Sequence, residues 1–116
     1  MELLDVIVEL KDLRIHSRTY HVDDQGEYGE IVFYSEDMSQ WDNVLQRHFG
    51  APLKSTHTPV TEELMLMTEP FGEIFDHQAL FFRQEENVRI MAMLWPWRDS
   101  IHTTLKLIFL RDAKQR

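Results

Sequence analysis

The chain has 116 residues and carries 12 Lys plus Arg against 20 Asp plus Glu, a formal charge of −8 at pH 7. That length holds one domain, residues 1–116, and its 34 Leu, Ile, Val and Phe residues suffice for one core but not for a large cavity between subdomains. The lack of cysteine excludes disulfides, thiolate metal sites and cysteine nucleophiles, and the acidic balance argues against nucleic acid, whose backbone is held by Lys and Arg.

The opening Met1-Glu2-Leu3-Leu4-Asp5 carries acids where a secretory signal carries basic residues, and the longest apolar run, Ile90 to Trp95, is too short to span a bilayer. A cytoplasmic protein without a membrane partner is expected. Residues 3–13 fit either a helical stripe or a strand, and the β-branched Val6-Ile7-Val8 favours the strand. Half-polar residues up to Val22, the turn residues Asp23-Asp24-Gln25-Gly26 and the run Gly29 to Tyr34 predict a hairpin. A helix follows over 36–49, with Ser35 as cap, Glu36 and Asp37 at its positive end, Arg47 and His48 at its negative end, and Gly50 and Pro52 as stop signals. Its inward face is Met38, Trp41, Val44, Leu45, His48 and Phe49. A shorter helix near 59–68 is predicted from Thr58 as cap and Pro59 at its first position, ending before Pro70.

The last third reads as a meander of three strands, 78–84, 87–95 and 102–110. In the middle strand Val88, Ile90, Ala92 and Leu94 face one way and Met91, Met93 and Trp95 the other, so both faces are apolar after Arg89. Such a strand needs cover on both sides. The two helices supply one cover, and the second is expected from the N-terminal segment, a curled part of the sheet or a second copy of the chain. The fold class is therefore α+β: an antiparallel sheet of five to six strands, with two helices between an N-terminal hairpin and a C-terminal meander.

Chemistry is sparse. The six histidines, at 16, 21, 48, 57, 77 and 102, lack the two- or four-residue steps that align ligands on one element, so no metal site and no cofactor is predicted. No serine has a nucleophile-elbow context, and the glycines at 26, 29, 50 and 72 cannot form a phosphate loop. Asp76-His77 cannot act as a pair on a strand, where neighbours point to opposite faces. The segment Trp95-Pro96-Trp97-Arg98-Asp99-Ser100-Ile101-His102 is the best candidate site, with stiff aromatic surface beside a guanidinium and an imidazole. Arg83 and His77, near the two ends of the adjacent strand, are candidates to join it.

Two functions fit this reading. The first is a binding module that self-associates as a dimer through the excess apolar surface of Trp95, Trp97, Met91, Met93, Phe82 and Trp41. The second is a small-molecule enzyme or carrier for an anionic or aromatic ligand at Trp95, Trp97, Arg98 and His102, with Arg98 as anion clamp and His102 as proton carrier. A packed loop closing the end of the core is the plain alternative.

Overall fold

The computed structural model describes residues 15–23, 26–72, 74–85 and 87–111; the strand expected within residues 3–13 lies outside them. Among the described residues one antiparallel sheet holds β1 (Ile15–Asp23), β2 (Gly26–Tyr34), β3 (Ala79–Glu85), β4 (Val88–Pro96) and β5 (His102–Arg111), in the order β1-β2-β5-β4-β3. Two helices, α1 (Met38–Phe49) and α2 (Glu62–Thr68), lie between the hairpin and the meander. This is the α+β arrangement that the hydropathy pattern predicts. No described helix is long and apolar enough to cross a membrane.

The strand alternation explains why two layers form. Ile31 and Phe33 of β2, Ile90, Ala92 and Leu94 of β4, and Leu105, Leu107 and Phe109 of β5 join Trp41, Val44, Leu45 and Phe49 of α1 in one buried cluster. Leu80, Met91, Met93 and Ile108 turn to the other face, where Leu64 of α2 and Ile74 cover them. Each helix thus takes one face, instead of both sharing a single one. The seven residues of α2 suffice because the chain from Val60 to Phe71 and on to Ile74 extends the same cover, with Val60, Met67 and Phe71 packed on the cluster. Met91, Met93 and Trp41 are consequently buried within a single chain, and Phe82 and Trp95 are half-buried.

Helix boundaries differ from expectation in two places. Ahead of α1 the chain makes a 3-10 turn over Ser35–Asp37, and no side chain caps either start. The Ser35 hydroxyl instead lies 2.8 Å from that of Thr103, tying the end of β2 to β5. The second helix starts three residues later than Thr58 and Pro59 suggest, because Thr61 is the cap and accepts from the Leu64 amide at 3.2 Å. Thr58 closes a local turn with Ser55, and Val60 donates its amide to Asp76 at 2.8 Å, which holds this stretch extended. The α-helix does end before Pro70, at Thr68, but a 3-10 turn over Glu69–Phe71 continues the path through the proline.

The outer edge of β3 is partly closed. Lys54 bridges to Leu80 through main-chain bonds, and its buried ammonium donates to the carbonyls of Ser55, Asp76 and Gln78 at 2.9, 2.6 and 2.7 Å. Burial lowers the Lys54 pKa and the Asp76 charge opposes that shift. All three ammonium donors have acceptors, which is what lets a lysine sit 2% exposed.

Candidate functional site: a ring cluster at the β4–β5 turn

The turn between β4 and β5 is closed by Trp97 donating its amide to the His102 carbonyl at 2.9 Å, and Ser100 takes the left-handed conformation at φ 62°. Asp99 organises it. Its Oδ1 accepts from the amides of Ile101 and His102 at 2.8 and 3.0 Å, while Oδ2 lies 2.7 Å from Nδ1 of His102. The His102 bond, then the two amide bonds, hold the Asp99 pKa down at about 2. With Nδ1 occupied, Nε2 is the polar atom the His102 ring has left to offer.

Three more rings reach His102 from different parts of the chain. The Trp97 ring centroid lies 4.9 Å away, fixed by an indole N–H bond to the Thr104 hydroxyl at 2.8 Å. Tyr34, paired with His102 across β2 and β5, lies at 5.5 Å. His16 lies 4.9 Å from His102 and 6.1 Å from Tyr34. A register shift in β1 accounts for the position of His16. Ile15 pairs with Phe33 and Ser17 with Val32, so His16 is an extra residue bulged out at the strand start. His16 and Trp97 are exposed while Tyr34 and His102 are half-buried, so the rings form a platform at the surface that is not flat, with contacting planes tilted by 32° to 65°.

The sequence candidates divide accordingly. Trp97 and His102 are brought together. Trp95 lies on the same face but is engaged elsewhere: the Lys106 ammonium sits 3.4 Å above its ring and also donates to the Phe71 carbonyl at 3.0 Å. Arg98 is exposed in the turn itself. Arg83, well along β3, donates to the His48 carbonyl at 2.6 Å and pairs with Glu85 at 2.9 Å. His77 is exposed before β3 and lines a shallow hollow of about 320 Å³ with His57 and Asp76. Arg83 and His77 therefore stay apart from the platform.

His16 and Tyr34 are the members that sequence reasoning missed, and Asp99, though inside the candidate segment, was given no role there. The Asp99-x-x-His102 spacing within a turn was a usable signal, since Asp readily bonds the backbone two or three residues on. His16 and Tyr34 had none, because only a bulge and a cross-strand register join them to the turn.

Asp99 and His102 have the arrangement of an acid/base dyad, yet the groups beside them are rings. The hydroxyls of Ser35 and Thr103 bond each other, and alternation along β5 puts Thr103 on the opposite face from His102. Among the described residues no three His, Asp or Glu side chains gather as a metal site. The chain matches no protein-family model, no curated protein and no solved structure.

Proposed function

We propose that this α+β protein is a binding module for a small planar aromatic ligand bearing an acidic or other hydrogen-bonding group. The ligand ring stacks on the exposed Trp97 and its polar group meets Nε2 of His102, with the tilted rings of His16 and Tyr34 flanking the imidazole. The observation that carries this reading is the convergence of rings from β1, β2 and the β4–β5 turn, each within 4.9 to 5.5 Å of one imidazole whose orientation Asp99 fixes. Offset aromatic contacts at such spacings add about 0.5–1.5 kcal/mol each beyond the area they bury. Arg98, exposed in the same turn, adds a positive charge for an acidic ligand in a chain that is otherwise acidic. The apolar residues that suggest an interface on sequence grounds, Met91, Met93 and Trp41, are inside the core, which favours the ligand reading over an apolar dimer face.

Tryptophan fluorescence tests this. Trp41 is fully buried and Trp95 half-buried, so the exposed Trp97 is the emitter that a panel of non-indole aromatic carboxylates such as benzoate reaches first. A saturable response that disappears in Trp97→Phe and weakens at least tenfold in His102→Ala is expected. A flat titration across the panel, or one that both variants leave unchanged, overturns the reading.

A further inference from the structure

We infer that the cavity between α1 and the start of β3 binds a small aliphatic amine, its ammonium on Asp42 and its apolar part over Ala79. The site stands apart from the ring platform, with which it shares no residue. It arises because the chain reverses after α1. Gly50 takes φ 81°, and Leu53 and Lys54 then bond to the main chain of Leu80, so residues 52–56 run beside β3 as a second wall facing the helix. A cleft of about 480 Å³ remains between the two walls. That volume lies within the range of small-molecule sites, about 300–1,000 Å³.

Residue choice keeps the cleft open from both sides. Its floor is Ala79, Phe81 and Leu94, and Ala79 pairs with Leu94 across β3 and β4, so a single methyl stands where a larger side chain would close the gap beneath the helix. Along α1 the facing row is Met38, Asp42 and Gln46, each one turn after the last, and it turns polar after Met38. A row used for packing alone would be apolar throughout.

Charge selects the occupant. Among the described residues Asp42 is the one charged side chain that lines the cleft, and Gln46 donates its amide to Oδ2 at 2.6 Å, which orients the carboxylate and leaves Oδ1 for a ligand. The nearby Lys54 ammonium gives its donors to three carbonyls, so it does not neutralise Asp42. A chain at −8 also draws cations and repels anions. A half-buried carboxylate above an apolar floor therefore fits an ammonium carried on an aliphatic group, with the hydroxyls of Ser39 and Thr56 as further acceptors.

An amide NMR titration of the whole chain with cyclohexylmethylammonium tests this, up to the low millimolar range that a fragment-sized ligand reaches. The saturated ring has no aromatic face to stack on the platform. Saturable shifts at residues 38–46, 53–56 and 79–81 are expected, and cyclohexylmethanol and cyclohexylacetate should bind about tenfold more weakly or worse, because neither offers Asp42 a cation. Asp42→Asn keeps the size of the side chain and should weaken the amine by about the same factor while leaving the alcohol unchanged. Ala79→Leu should abolish binding by filling the floor, with an unchanged amide spectrum away from the cleft showing that it folds; if it does not fold, Asp42→Asn decides alone. No saturable shift at the cleft, equal affinity for amine and alcohol, or an Asp42→Asn variant that binds the amine as the unmodified chain does each overturns the inference.

Discussion

Oδ2 of Asp99 lies 2.7 Å from Nδ1 of His102, and this contact joins the turn that builds the platform to the imidazole at its centre. Asp99 is held at about 2 against an ordinary 3.8, so the folded state prefers its ionised form. The sign follows: the contribution of Asp99 to the turn is complete above about pH 4 and declines as pH falls toward 2. A carbon NMR titration of the Asp99 carboxyl should give a midpoint near 2. In His102→Ala the midpoint should move up toward the ordinary value, because the largest cause is gone; an unmoved midpoint would show that the imidazole is not responsible.

The Lys54 ammonium bonds three carbonyls inside the protein. Replacing it by Ala removes the buried stem and strands three acceptors, a loss of about 3–5 kcal/mol from cavity and unmade bonds together. Lys54→Met restores most of the volume but none of the donors, so it should recover part of that loss. Urea unfolding measures both: equal stability of the two variants would mean that the buried stem contributes nothing, and a Lys54→Met variant as stable as the unmodified chain would mean that the carbonyl bonds contribute nothing.

Trp41 is fully buried and stacks on Phe33 with centroids 4.3 Å apart and planes at 16°, yet its indole N–H has no acceptor among the described residues. Trp41→Ala should cost about 3–5 kcal/mol. Trp41→Phe keeps an aromatic ring on Phe33 and removes the unpaired donor, whose burial is itself unfavourable, so it should cost about 1–2 kcal/mol. Thermal unfolding distinguishes the two; a Phe variant as weak as the Ala variant would contradict the stated cause.

Gly72 sits at φ +103°, and a Cβ there would meet Cη2 of Trp95 at 2.3 Å. Gly72→Ala therefore combines backbone strain with a clash against an aromatic ring, a loss of about 2 kcal/mol or more. Trp95→Phe withdraws the clashing atoms but leaves the strain. The double variant should then be less damaged than the two single losses added, as a double-mutant cycle reads directly.

Much of the local structure was legible because side-chain periodicity reports directly on backbone type. Alternation in residues 88–95 fixed a strand apolar on both faces, the spacing from Trp41 to Phe49 fixed a helix, and Asp23 to Gly26 fixed a reversal. Cap positions were less secure, since Ser35, Thr58 and Thr61 are equivalent as cap residues until a competing partner exists. Thr103 claims Ser35, Ser55 claims Thr58, and Thr61 is left to cap α2.

By itself, then, the sequence determined which residues face inward, the order of the elements and the α+β class, all consequences of short-range geometry. Tertiary structure alone decided that α1 and α2 take opposite faces, that β2 docks against β5, and that the bulge at His16 delivers an imidazole to the β4–β5 turn. The physical reason is that periodicity states that a face must be covered without naming what covers it. Pairing between strands almost seventy residues apart is settled by packing and register, which a sequence pattern does not encode.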